Sequence, residues 1–117
     1  MPKNKEISDE VKRLSDIFAD ISADKRALVK NLIQNAAYMA VKLRELQELI
    51  DQDGLIEHYD NGGGQTGNKI GSAVQIYQKM LPSYNQVIKT LAGMLPSGEK
   101  DAAIRSADPM AEFLTQR

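Results

Sequence analysis

LVKNLIQNAAYMAVKLRELQELI, residues 28–50, is the stretch on which the fold turns. Its apolar residues Leu28, Leu32, Ile33, Ala36, Met39, Leu43, Leu46, Leu49 and Ile50 recur in steps of three and four, the spacing that lines one face of an α-helix. Gly and Pro are absent from 23 to 53, Ser22 stands where an N-cap belongs with Asp24 in the first turn, and Gly54 is placed to stop the helix. At about 1.5 Å per residue, a helix over 23–53 is a rod on the order of 45 Å long. A second stripe, Val74, Tyr77, Leu81, Tyr84, Ile88, Leu91 and Leu95, predicts a helix over 72–95, capped by Ser72 and stopped by Pro96. Its apolar phase continues across Pro82, which predicts a kink there and not a break. Joined end to end, two such helices form a hairpin.

Toward the N-terminus, Ile7, Val11, Leu14, Ile17, Phe18 and Ile21 make a third stripe, with Ser8 as N-cap and Asp9 and Glu10 in the first turn, and predict a helix over 8–20. Between the hairpin helices, residues 54–71 hold six of the eight glycines together with Asp60, Asn61 and Asn68, which predicts a long, mobile connection. From Ser97-Gly98 onward the chain reads as a linker, followed by a short tail helix whose Met110, Phe113 and Leu114 form a small apolar face, suited to a partner groove or to packing back on the hairpin. The expected fold is all-α and oligomeric: an N-terminal helical segment 1–22, a helical hairpin 23–96 with its Gly-rich loop 54–71, and a linker and tail helix 97–117.

A chain of 117 residues with 5% aromatic residues and no Trp makes one small domain packed by aliphatic side chains. A lone hairpin buries only part of such stripes, so self-association is expected through Leu32, Ile33, Met39, Leu43, Leu46 and Ile50 of the first helix and Tyr77, Leu81, Tyr84, Ile88 and Leu91 of the second. The absence of Cys and the single His, His58, remove thiolate nucleophiles, disulfides and most metal-ligand sets. No catalytic constellation remains; the chain reads as a non-enzyme that takes no cofactor and no metal. No apolar run approaches the roughly 18 residues needed to span a bilayer and no leader precedes the first helix, so a soluble, cytoplasmic protein with no membrane partner is expected.

A formal net charge of −1 supplies no global attraction for nucleic acid, so DNA binding requires a local cluster. The concentrated cations are Lys3, Lys5, Lys12, Arg13, Lys25, Arg26 and Lys30, interleaved with Glu6, Asp9, Glu10, Asp16, Asp20 and Asp24. A solvated surface of mixed charge and a DNA-binding set made effective by repetition in an assembly are both open on this pattern. Gly62, Gly64 and Gly67 spell G-x-G-x-x-G, but that fingerprint needs a preceding strand, and a helix stands there instead; Asn68 also occupies the lysine position of a Walker A loop. Asp51, Asp53 and Gly54 echo a calcium loop whose first ligand is Leu49 and whose last is the short Asp60, so the ends do not fit. Tyr38, Tyr77 and Tyr84 are placed for packing more than for base stacking, since two of them lie on an apolar stripe.

Asn35 to Met39, Leu43 to Leu49, Ile50-Asp51-Gln52-Asp53-Gly54-Leu55, Tyr59-Asp60-Asn61-Gly62, Ala73-Val74-Gln75-Ile76-Tyr77 and the run from Tyr84 to Leu95-Pro96 resemble the small subunit of tailed-phage terminases. The likeness covers residues 25–96. It departs from that pattern at Ser72-Ala73, where related hairpins often carry a proline, and no helix-turn-helix precedes residue 25. The resemblance implies a non-catalytic protein that assembles, as a ring in that family, recognises the packaging start on double-stranded viral DNA and delivers it to the large ATPase-nuclease subunit inside a bacterial host. Two rival readings come from other classes: a helical adaptor or structural phage protein that binds only protein, and a small transcriptional regulator.

Overall fold

The computed structural model describes residues 2–60 and 62–108, with side chains from Asn4 onward. Helix α1 spans Pro2–Ile17, a single 3-10 turn occupies Ala23–Lys25, and helix α2 runs Arg26–Asp53. Two strands follow, β1 (Ile56–Asp60) and β2 (Thr66–Ile70), then helix α3 (Ser72–Ala92) and a short helix α4 (Lys100–Ser106). The described residues reach 62 Å along their longest axis, consistent with the rise of a helix of 28 residues extended by a ribbon.

The expectation of an all-α chain is overturned by the ribbon. β1 and β2 pair antiparallel in the register Ile56↔Ile70, Glu57↔Lys69, His58↔Asn68, Tyr59↔Gly67 and Asp60↔Thr66. Residues 56–60 and 66–70, within the stretch whose glycine content suggests a loop, are therefore the paired strands of a hairpin. The glycines do two distinct jobs there. Gly62, Gly63 and Gly64 all take positive φ (81°, 59° and 81°) to turn the chain, and the Asp60 carboxylate accepts the Gly62 N–H at 2.8 Å to hold that turn. Gly67 lies beneath the ring of its cross-strand neighbour: a Cβ there would sit 2.6 Å from the Tyr59 hydroxyl oxygen. Strand pairing, which bonds backbone groups at alternate positions of the ribbon, wins over the weak strand propensity of the sequence.

Helix boundaries differ from the periodicity for local reasons. α1 starts at Pro2, which is tolerated in a first helical turn, so Ser8 is interior and caps nothing. Ser22 donates its hydroxyl to the Asp24 carboxylate in place of capping the backbone, and the chain enters α2 through the 3-10 turn. Gly54, with φ 80° and ψ −174°, ends α2, and its N–H bonds the Ile50 carbonyl at 2.7 Å. Ser72 is the first residue of α3, not its cap; the Glu57 carboxylate on β1 receives the Ser72 N–H at 2.7 Å and does the capping from across the chain. α3 passes through Pro82 as one helix and ends at Ala92, before Gly93. Residues 97–106, expected to be linker, contain α4, which packs on α3; Ala103 within it and Ala107, the residue that caps it, are buried.

α2 is the central helix, packed by α1 on one side and α3 on another. Its Ala36, Ala37 and Ala40 are fully buried, and small side chains there let both neighbours approach closely. Around them lie Leu14 and Phe18 from the first segment, Ile33 and Leu43 from α2, and Tyr84, Ile88 and Leu91 from α3. Burying side chains of this size contributes about 1.5–3 kcal/mol each against the entropy of ordering the chain. Among the described residues, no helix is long and apolar enough to cross a membrane.

Candidate functional site

The cations expected to meet DNA divide into three groups. Lys5 and Lys12 are exposed on α1, flanked by exposed Glu6, Asp9 and Asp16. The side chain of Lys3 lies outside the described residues. Lys25, Arg26 and Lys30 are all exposed and fall within six residues, on the 3-10 turn and the first turns of α2. Arg26 and Lys30, four apart on one helix, rim a cleft of about 430 Å³ floored by Val11, Phe18, Ile21, Val29 and Ile33.

Arg13 belongs to a different arrangement. Glu10 is only 2% exposed, and its two carboxylate oxygens receive Arg13 Nε at 3.0 Å and Arg13 Nη2 at 2.6 Å. Arg44 Nη2, from α2, donates to the same carboxylate at 2.6 Å. Arg13 Nη1 also donates to the Ser106 carbonyl at 2.6 Å, so one buried carboxylate and two guanidiniums tie α1 to α2 and to the end of α4. Burial alone pushes the Glu10 carboxyl up; the hydrogen bonds and charges of Arg13 and Arg44 outweigh it and hold the group below the usual carboxylate range. Beside this network, the buried Tyr84 hydroxyl donates to the Ala107 carbonyl. Burial and the Glu10 charge push its ionisation far above the ordinary tyrosine value, which keeps it a neutral donor. Sequence periodicity marks none of this, because Glu10 and Arg44 are 34 residues apart.

At the far end of the hairpin, the ribbon carries His58 Nδ1 at 3.1 Å from Asn68 Oδ1 and a Glu57–Lys69 ion pair at 3.8 Å. The Glu57 carboxyl is held low chiefly by the Ser72 backbone N–H it accepts. Gly62, Gly64 and Gly67 sit in the ribbon's turn and second strand, where no helix begins to face an anion. Asp51 and Asp53 are exposed at the last turn of α2. Among the described residues, no group of three or more His, Cys, Asp or Glu is placed to hold a metal ion.

Of the residues expected to join copies of the chain, Ile33, Leu43, Leu46, Tyr84, Ile88 and Leu91 are buried within the single chain. Leu32, Met39, Tyr77 and Leu81 pack against that core while keeping part of their surface in water, and Ile50 is likewise half-buried. Tyr77 also accepts a hydrogen bond from Gln47 Nε2 at 2.9 Å across the hairpin. The tail residues Met110, Phe113 and Leu114 lie outside the described residues. What remains open is Leu28, Tyr38 and Leu49 on α2, Ile76 on α3, and Leu55, Ile56, Tyr59 and Ile70 at the ribbon, all more than a third exposed. Comparison with protein-family models, with curated proteins and with solved structures returned no match.

Proposed function

We propose that the chain is the small subunit of a tailed-phage terminase: a non-catalytic, self-associating protein that binds double-stranded DNA and presents it to a large ATPase-nuclease subunit. The observation that carries this reading is the combination, on one elongated molecule, of eight large apolar side chains left exposed along α2, the ribbon and α3 and a separate exposed cluster of cations at Lys25, Arg26 and Lys30. The resembling segments also fall on one contiguous unit, α2, the ribbon and α3, which is the hairpin that the family likeness covers. A small basic cluster on a chain of net charge −1 binds DNA weakly alone and appreciably when repeated in an assembly, because phosphate contacts add.

The test is a fluorescence titration of a labelled duplex over a range of salt concentrations, with and without the changes Lys25→Ala, Arg26→Ala and Lys30→Ala together. Each lost phosphate contact lowers the salt slope by about one. Binding that is absent at low salt, or unchanged in the triple variant, counts against the assignment. Co-purification with the large subunit encoded by the same genome then tests delivery. The interleaved Glu6, Asp9 and Asp16 on α1 favour the second reading, an adaptor that binds only protein, and a protein that captures the large subunit without any DNA affinity would be that adaptor.

A further inference from the structure

The ribbon leaves one edge of its main chain open, and the phase of its hydrogen bonds shows which groups lie there. The Gly71 N–H donates to the Leu55 carbonyl at 2.8 Å, so these two residues form a bonded position at the base of the ribbon. Bonded and non-bonded positions alternate in an antiparallel pair, so Glu57 with Lys69 and Tyr59 with Gly67 exchange the main-chain bonds. Ile56, His58 and Asp60 on β1, and Thr66, Asn68 and Ile70 on β2, therefore turn their N–H and C=O groups outward. On β2 the end of that edge is taken, because Gln75 Nε2 from α3 donates to the Ile70 carbonyl at 3.1 Å. On β1 all three residues are exposed, and among the described residues no hydrogen bond reaches their outward main-chain groups.

Nothing on β1 blunts this edge. The strand reads Ile-Glu-His-Tyr-Asp, without lysine or proline, and its register with β2 runs unbroken by a bulge. Its largest side chain leans away from the edge: the Tyr59 ring lies over Gly67, where an added Cβ would sit 2.6 Å from the hydroxyl oxygen. Glu57 is committed within the chain, to the Ser72 N–H and to Lys69. Ile56 and its cross-strand neighbour Ile70 share one face of the ribbon and are 56% and 47% exposed.

We infer that β1 pairs edge to edge with β1 of a second copy, antiparallel, about a two-fold axis at His58. The inference deepens the proposed function, resting on its claim of self-association and adding the surface through which copies meet. The edge is complementary to itself. With His58 opposite His58 of the other copy, Ile56 falls opposite Asp60 and Asp60 opposite Ile56. All three outward positions then meet outward positions, and about six main-chain hydrogen bonds cross the axis. Centring the pair on Glu57 or Tyr59 instead leaves one of the three unmatched. In the His58 register no acidic residue stands directly opposite another, since Glu57 faces Tyr59.

The product is a four-stranded sheet with Ile56 and Ile70 of both copies on one face. A two-stranded ribbon is marginal by itself, and added strands are what make such a sheet stable. The contact is small, below about 1,200 Å² in total, the class of interface that forms and dissociates with concentration.

The chain has no cysteine, so an introduced one reports on its own surroundings. His58→Cys and Asn68→Cys are oxidised in parallel, while sedimentation over a range of concentrations gives the mass of the unmodified protein and of His58→Pro. Pairing sets the two copies of position 58 at a Cα separation of about 5.5 Å, within disulfide reach, and the two copies of position 68 three strand spacings, about 14 Å, apart. His58→Cys should therefore form the linked dimer about tenfold faster or more. Proline at 58 removes an N–H that no bond inside the ribbon uses, so His58→Pro should keep the parent's circular dichroism and weaken association about tenfold or more. Equal oxidation rates in a protein that associates overturn the pairing and leave self-association standing, as does unaltered association of a folded His58→Pro. If that variant misfolds, the cysteine comparison decides. A monomer at tens of micromolar overturns both. The DNA titration of the unmodified protein is read independently, so loss of DNA binding alone would strike the packaging role and not this interface.

Discussion

Replacing Glu10 by Gln probes whether a single buried carboxylate holds three helices together. The change keeps the side-chain volume and removes the charge that sits between Arg13 and Arg44. Taking one partner from a fully buried pair costs about 3–5 kcal/mol. Here the carboxylate is 2% exposed, whereas the Arg13 and Arg44 side chains are 21% and 30% exposed and keep other electrostatic neighbours. Water and those neighbours reduce the loss to about 2–3 kcal/mol. For a domain of this length each kcal/mol moves the midpoint by roughly 4 °C, so Tm should fall by roughly 8–12 °C in a calorimetric scan near pH 7. The pH dependence adds a second, independent reading. Because the Glu10 carboxyl is depressed in the folded state, its contribution is present above the ordinary carboxylate value of 4.5 and is lost as pH falls through the lower folded value. The parent should therefore lose stability below about pH 4.5 more steeply than the variant, and the two curves should converge in acid. A Glu10→Gln protein that melts within a degree or two of the parent at pH 7, with a parallel acid limb, would refute the reasoning.

Tyr84→Phe removes the bond to the Ala107 carbonyl without opening a cavity, and should lower stability by about 1–2 kcal/mol in urea unfolding, with α4 the first segment to lose amide protection. Gly54→Ala forces a Cβ into a backbone region open essentially to Gly alone; nothing lies within 4 Å of that Cβ, so the expected loss of about 1–3 kcal/mol is backbone strain and should be matched by any other non-Gly residue. The Glu99 carboxyl, which shares a hydrogen bond with Asp20, is pushed up by that contact; its contribution is present in acid and lost as pH rises through the raised value, so Glu99→Gln should raise Tm at neutral pH and leave it unchanged near pH 3.

Periodicity made the three main helices legible because each buries one stripe: Leu14 and Phe18, then Ile33, Ala36, Leu43 and Leu46, then Tyr84, Ile88 and Leu91 all lie in the core of the single chain. The ribbon was illegible for the opposite reason. Its strands bury almost nothing, so their apolar residues Ile56, Tyr59 and Ile70 leave no one-sided pattern, and their stability comes from backbone pairing and an Asp-anchored glycine turn. The Asp60-Asn61-Gly62 sequence was the available signal, since such pairs favour tight hairpin turns. α4 is short, its one buried residue is Ala103 with Ala107 buried just after it, and alanine is too weakly apolar to stand out from a linker. The Glu10 network was hidden by distance along the chain, as pairing over 34 residues depends on how α1 folds back along α2. For the candidate site, the sequence supplied the cations but not their partition: three are exposed together at the start of α2, while Arg13 is committed to the fold.

That partition separates functions that the apolar stripes alone would confuse. Leu43, Tyr84, Ile88 and Leu91 are at most 3% exposed, so a charge at any of them unfolds the chain before it can report on assembly. Leu28 and Leu49 sit at the margins of the same helix with about half their surface in water, where a charge costs the fold little and an interface a great deal. Arg26 and Lys30 rim the cleft between α1 and α2 at the start of the helix, far along it from Leu49, so a charge placed at Leu49 leaves them undisturbed. Side chains closed in by α1 and α3, the exposed Leu28, Tyr38 and Leu49, and the cations of its first turns are thus three distinct sets on α2. The variants that disturb each set are distinct, which makes the proposed assembly and the proposed DNA contact separately measurable on a protein that stays folded.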